Sequence, residues 1–248
     1  RGYELDEVAL IDLKNDLFFE WFDYVLKGRA KPGILKEKVN FQVMGKNEWI
    51  HTPTLAAMST DSLVYYLGVN NTGETHYLDS KDNNGLEYTM LKIDLTDRNK
   101  SNNADYYPWP LIKNSINLQD GLVFKSAIFK KEVIMNGSFS GDFVITSNMK
   151  DFDYSVSLYE ITPEGKYFHL SYHIGRASYA KNREKRELLI PGKETTISFK
   201  DTRVVSKQVS KGSQLVVILN GNKNPYAQIN HGTGKDVSAE TIEEASAT

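Results

Sequence analysis

Cysteine is absent from all 248 residues, so disulfides, thiolate nucleophiles and cysteine-held zinc are excluded. The compartment stays open, because a cysteine-free chain suits cytosol, periplasm and exterior alike. No run of about 18 apolar residues occurs, so no membrane span is expected. The opening Arg-Gly-Tyr-Glu-Leu-Asp-Glu has neither an initiator methionine nor the apolar core of a signal peptide, and the start reads as internal to a longer protein. Neither sign of charge is in excess: 30 basic and 32 acidic residues leave a net charge of −2. That balance carries no electrostatic footprint for nucleic acid or an anionic membrane, so neither is expected as a partner.

What is present is ordinary globular material, 40% hydrophobic and 25% charged, in a length that holds one large β domain or two small ones. Leu17, Phe18, Trp21, Phe22 and Val25 recur at intervals of one, three and four, which predicts a helix with one wide apolar face that Gly28 ends and Pro32 keeps ended. Such a face needs a partner surface. Val39, Phe41 and Val43 then alternate with Asn40, Gln42 and Met44 as a half-buried strand, and Gly45 permits the turn that leads to Trp49. Further strands are predicted at 63–67, 75–78, 88–93, 122–126, 132–135, 143–147, 154–159, 167–173, 195–199 and 214–219, separated by Asn, Gly, Asp or Pro. So many short strands mean a sandwich. Val156, Leu158 and Ile161 against Ser155, Ser157 and Glu160 fit a sheet with one dry face, apart from a slip of phase near Glu160 that reads as a bulge. From Ser238 the acidic, Ala- and Ser-containing end reads as a tail or short helix.

Residues with catalytic potential are sparse. Acyl transfer through a serine elbow needs Gly-x-Ser-x-Gly, with an acid and a histidine later in the chain. The near miss is Gly137-Ser138-Phe139-Ser140-Gly141, where Phe139 stands in the nucleophile position, and the segment reads as a β-hairpin turn. His169 and His173 lie in a strand-like run, where residues four apart share a face at roughly 13 Å, too far to hold one ion. They are read as strand histidines, and neither a metal nor a cofactor is expected. Asp151 and Asp153 lack the ligand loop of a calcium site, and they read as structural carboxylates that cap backbone N–H groups. Residues 181–187, KNREKRE, read as a solvated strand edge guarded against pairing. Tyr106-Tyr107-Pro108-Trp109-Pro110 combines two stiffening prolines with three aromatics, a composition that suits both a ligand wall and a loop packed on a sandwich.

From Phe18 to Trp49 the chain reads FFEWFDYVLKGRAKPGILKEKVNFQVMGKNEW. This stretch resembles the X-Pro dipeptidyl-peptidase-like serine hydrolases, which include cocaine esterases and α-amino-acid ester hydrolases. In those proteins a Trp-Phe-Asp helix, Leu-Lys-Gly and a strand ending in Val-Met-Gly lie just past the catalytic histidine. The resemblance continues through Asp151-Phe152-Asp153, the turn Pro163-Glu164-Gly165, Gly175-Arg176, Lys211-Gly212, and Asn224-Pro225 with Asn230-x-Gly232-Thr233-Gly234. The chain departs from the pattern over 67–103, at Tyr107 where the family has Asp, and at its end, where relatives add a last strand.

The resemblance implies a mainly β fold, a jelly-roll (galactose-binding-like) β-sandwich with an N-terminal helix. Residues 1–60 would close a missing α/β-hydrolase catalytic domain, and residues 61–248 would form the C-terminal sandwich. The whole protein would hydrolyse esters or amides through a serine acyl-enzyme. This chain would contribute no catalytic residue and would narrow substrate access. Phe18, Trp21, Phe22 and Val25 would form the interface to the protein's own N-terminal domain, with homo-oligomerisation as a further use. Tyr106, Tyr107 and Trp109 would form a substrate-pocket wall. A carbohydrate-binding jelly-roll module and a purely structural appendage are the alternative readings.

Overall fold

The computed structural model describes residues 10–71, 73, 75–82, 87–97, 111–118, 120–224 and 227–245. Asp12 starts the first element by accepting the backbone N–H groups of Lys14 and Asn15. A π-helical turn, Leu13–Leu17, runs directly into α1, Phe18–Lys27. Gly28 stops the helix in the left-handed region at φ 64°, its N–H returned to the Asp23 carbonyl, as the Lys-Gly stop predicts. The chain then forms a hairpin of β1 (Val39–Val43) and β2 (Glu48–Thr52), turned by Gly45 at φ 82° and Asn47 at φ 54°.

The remaining strands build two layers, with a further small buried cluster of Val123, Val216 and Ile218 on the outer face of the larger one. Seven belong to a single sheet: β3 (Tyr66–Gly68), β4 (Thr75–Asp79), β5 (Ile112–Lys113), β6 (Gly121–Lys125), β9 (Asp153–Ile161), β10 (Tyr167–Arg176) and β13 (Gln214–Gly221). Their spatial order is β3-β4-β6-β13-β9-β10-β5, antiparallel except between β4 and β6. The opposite layer pairs β7 (Val133–Gly137) with β12 (Val205–Val209) and β8 (Gly141–Thr146) with β11 (Glu194–Phe199). Met44 joins the first hairpin to this layer, its N–H donating to the Ser206 carbonyl and its own carbonyl accepting from Gln208. Between the layers lie Leu158, Phe168, Leu170, Val205 and Leu215 at one end and Tyr154, Val156, Ile197 and Phe199 at the other. The fold is a mainly β sandwich with one N-terminal helix.

Four local expectations are corrected. Residues 137–141 are not a hairpin turn, since β7 and β8 follow one another along the same edge and pair with different strands. At the break between them the Thr202 hydroxyl donates to the Phe139 carbonyl at 2.7 Å and accepts the Phe139 N–H at 2.9 Å, replacing the missing ladder bonds. The phase of β9 does not slip either. Glu160 continues the inward row of Tyr154, Val156 and Leu158, only 1% exposed, where the Lys207 ammonium meets its carboxylate at 2.6 Å. The register shift lies in the neighbouring strand, where Leu170 is the extra residue between His169 and Ser171. That shift also separates the two histidines: His169 packs on Tyr159 and Tyr172 outside the sheet, whereas His173 stacks on Phe199 of the opposite layer.

Residues 88–93 form no strand, and Tyr88 and Met90 are 89% and 73% exposed. β2, β5 and β12 are additions that the alternation does not disclose. In β12, Lys207 takes an inward position between Val205 and Val209, so the buried face is hidden behind a charged residue.

Candidate docking surface

The Asp151-Phe152-Asp153, Gly175-Arg176 and Asn230-x-Gly232 motifs meet at one end of the sandwich, whereas Pro163 and Gly212 lie together beyond the other end of β9. Arg176 lies opposite Asp153 in the β9–β10 ladder and holds it through two bonds, Nε at 2.6 Å and Nη2 at 3.0 Å. This pairing raises the arginine pKa above its ordinary value, chiefly through the hydrogen bond to Asp153. The Asn230 amide donates to the same carboxylate at 3.2 Å. Asp151, with no exposed surface, accepts the Ser178 N–H and hydroxyl at 3.0 and 2.8 Å and the Arg186 guanidinium at 2.9 Å. Gly232 turns at φ 81°, where a Cβ would collide with Met149, and its carbonyl accepts the Lys150 N–H. Glu240 fastens the C-terminal stretch by accepting the N–H groups of His231 and Thr233. Residues 237–239 and 242–244 form two single turns of 3₁₀ helix in this tied-down stretch.

These groups satisfy one another in charge-assisted bonds, which makes the cluster a strut joining β9, β10 and the C-terminal segment. The structural reading of Asp151 and Asp153 is supported, with bidentate and buried pairing beyond the local capping expected. Among the described residues no group of His, Asp and Glu is arranged to hold a metal. His173 sits beside the Tyr154 hydroxyl, and burial, with Arg183 adding to it, lowers its pKa below the usual histidine value. Burial likewise pushes the Tyr154 phenol up to about 12.

α1 stands open. None of its residues is buried: Phe18, Trp21, Phe22 and Val25 are 58, 40, 52 and 54% exposed. Sequence periodicity named those four and missed Phe19, Tyr24 and Leu26, which are exposed as well. At about 100° per residue the apolar positions cover roughly 220° of the circumference, leaving Glu20, Asp23 and Lys27 a narrow polar stripe. A girdle that wide suits a helix seated in a groove better than one lying on a flat surface. The chain on both sides of α1 continues it: Leu10, Ile11, Gly33 and Ile34, with Lys36, Trp49 and His51, line a shallow groove of about 570 Å³. There the Asn40 side-chain oxygen accepts from Nδ1 of His51 at 2.8 Å, its amide orientation set by donation to the Glu37 carbonyl. The wall residues expected from sequence, Tyr106, Tyr107 and Trp109, lie outside the described residues, as does Pro225 of the Asn-Pro motif.

The described residues thus form a two-layer β-sandwich with an internally satisfied polar strut and an uncovered helix. The comparisons name its family. Residues 34–247 match the family model described as the X-Pro dipeptidyl-peptidase C-terminal non-catalytic domain, and the chain belongs to that family. No curated protein matches the chain. Among solved structures, an α-amino acid ester hydrolase superposes over 98% of this chain with a TM-score of 0.71 at 16% identity. An aminopeptidase from a marine sediment archaeon, Thaumarchaeota archaeon, superposes over 98% with a TM-score of 0.67 at 17% identity. A CocE/NonD family hydrolase from Staphylococcus aureus superposes over 93% with a TM-score of 0.56 at 14% identity. The chain spans 43, 42 and 43% of these three proteins, less than half of each.

Proposed function

We propose that this chain is the non-catalytic C-terminal part of a serine hydrolase acting on esters or amides, and that it docks on an N-terminal α/β-hydrolase domain through α1. The apolar girdle of α1 carries this reading, because leaving several large side chains in water forgoes about 1.5–3 kcal/mol each. The family to which the chain belongs and the length of the superposed proteins beyond it favour a catalytic domain as the occupant. On this reading the sandwich is a jelly roll of the galactose-binding-like kind. The sequence boundary near residue 60 is better drawn ahead of β1, since Met44 is hydrogen-bonded into the sandwich and the family match begins at residue 34. Residues up to Gly28 then close the catalytic domain. Tyr106, Tyr107 and Trp109 shape access to the acyl pocket.

The carbohydrate-module reading is less favoured. Its natural platform is the outer face of β9 and β10, where Tyr159, Tyr167, His169 and Tyr172 gather. There the rings pack on each other, and Tyr172 stacks on His169 at 5.7 Å while Arg203 lies over its ring at 4.7 Å, so ring surface that would stack on a sugar is already engaged.

The test is Phe22→Asp with Val25→Asp, in this chain alone and in the full-length protein. In the chain alone the melting temperature should stay unchanged, because both side chains are already exposed. In the full-length protein hydrolysis of aminoacyl esters or Xaa-Pro anilides should fall, and the two halves should melt separately. Unchanged activity and a single unchanged melting transition would refute docking through α1. Loss of a dimer with activity intact would assign the face to a second copy instead.

A further inference from the structure

We propose that His51 is the polar anchor of the docked interface, its Nε2 accepting a hydrogen bond from a neutral N–H or O–H group on the N-terminal domain. This rests on the reading that such a domain covers α1 and the groove beside it, and it names what that domain must present there.

The backbone fixes where the ring carries its proton. Asn40 lies opposite His51 in the β1–β2 ladder, so the two side chains share one face of the hairpin. The Glu37 N–H donates to Asn40 Oδ1 at 3.1 Å, and Asn40 Nδ2 donates to the Glu37 carbonyl at 2.8 Å. A backbone donor and a backbone acceptor thus settle which end of the amide is oxygen. That oxygen stands 2.8 Å from Nδ1 of His51 and can only accept, so the neutral ring is protonated at Nδ1. Nε2 is then a lone pair, and it meets no donor among the described residues.

The surroundings of the ring say what fits against it. Ile11, Ile34 and Trp49 give the groove an apolar lining, and Lys36 is the one charged residue of that lining. Contact with an apolar patch expels water, and an acceptor left unpaired there forfeits its hydration without recompense. A carboxylate or carbonyl opposite Nε2 would set acceptor against acceptor. The occupant must therefore bring a donor. On the same face Gln42, in register with Trp49, is 8% exposed, and its Oε1 also meets no donor among the described residues. The groove adjoins α1 through Leu10 and Ile11 before the helix and Gly33 and Ile34 after it, so an occupant of the apolar girdle borders the groove as well. More than half of each superposed protein lies outside the part that matches this chain, enough to cover both.

The test follows hydrogen exchange by mass spectrometry on peptides within 31–38 and 46–52, in this chain alone and in the full-length protein. His51→Asn keeps an N–H near the place of Nδ1 and deletes the Nε2 acceptor, whereas His51→Gln brings a carboxamide oxygen to the Nε2 position. In the chain alone neither variant should change exchange, because the groove there meets only water. In the full-length protein His51→Asn should quicken it about tenfold, and His51→Gln should return most of the protection. Asn40→Asp is the second probe. A carboxylate beside Nδ1 favours the imidazolium, which turns Nε2 from acceptor to donor, so protection in the full-length protein should fall although His51 is intact.

Unchanged exchange in the full-length variants overturns the anchor, as does His51→Gln behaving like His51→Asn. Quickening of equal size in the chain alone also overturns it and makes His51 a structural residue of the hairpin. The variant carrying Phe22→Asp and Val25→Asp keeps the two readings apart. If that variant undocks while His51→Asn stays protected, docking through α1 stands and the anchor falls. If His51→Asn undocks while that variant stays protected, the anchor stands and α1 is not the docking face.

Discussion

Removing Lys207 alone should be among the most damaging single changes in this chain, although no chemistry depends on it. Its ammonium crosses from β12 to Glu160 on β9 at 2.6 Å, with side chains 7 and 1% exposed. The Ser213 hydroxyl donates to the second Glu160 oxygen at 2.7 Å, the Gln208 carbonyl accepts from the lysine at 2.9 Å, and the Phe168 ring lies 4.7 Å beneath the cation. Lys207→Met keeps most of the volume but leaves a carboxylate between two sheets with only a serine to solvate it. Breaking a buried pair from one side costs about 3–5 kcal/mol. At about 2–4 °C per kcal/mol for a chain of this size, the melting temperature should fall by roughly 6–20 °C. Glu160→Leu should cost less, because the stranded ammonium keeps a carbonyl and an aromatic face. The double variant Glu160→Leu, Lys207→Met should recover most of the loss, since apolar replacements of a whole buried pair are often neutral or stabilising. Thermal melts of the four proteins, followed by circular dichroism, give the coupling directly. Single variants within about 0.5 kcal/mol of the parent, with an additive double, would refute the assignment of this pair as a bridge between the layers.

Two further outcomes are expected. His173 has its pKa lowered from 6.5 by burial and by Arg183, so the unfolded chain binds its proton more readily than the folded one. Its contribution to stability is therefore full above the ordinary histidine value and is lost as pH falls through and below it, and His173→Gln should flatten that part of the melting-temperature profile; an unchanged slope would contradict it. Gly175→Ala should destabilise by about 1–3 kcal/mol, because the added methyl would collide with the ring of Tyr154, itself 5% exposed in the core; an unchanged urea midpoint would show that the ring can yield.

Much of the fold was legible in the chain because it rests on local chemistry. The helix periodicity, the Gly28 stop, the Gly45 turn and the alternation in most strands each state a backbone preference over a few residues. The apolar face of the helix was legible for the same reason, although exposure around α1 widened it to Phe19, Tyr24 and Leu26. Legibility failed where a residue's meaning depended on a distant partner. Glu160 looked like a slip of phase because its reason for facing inward, Lys207, lies on another strand. That same lysine concealed β12.

The composition and short motifs by themselves determined a β-rich, cysteine-free chain without a serine elbow, carrying an apolar helix at its head and scattered motifs of one hydrolase family. Tertiary structure alone decided that Asp153 and Arg176 are one ion pair, that His169 and His173 face opposite sides of their sheet, and that Lys223 joins Asp94 to Asp120. The physical reason is range. Propensity and periodicity act between neighbours along the chain, whereas a buried charge takes its meaning from whichever partner the folded backbone brings within about 3 Å, at any separation in sequence.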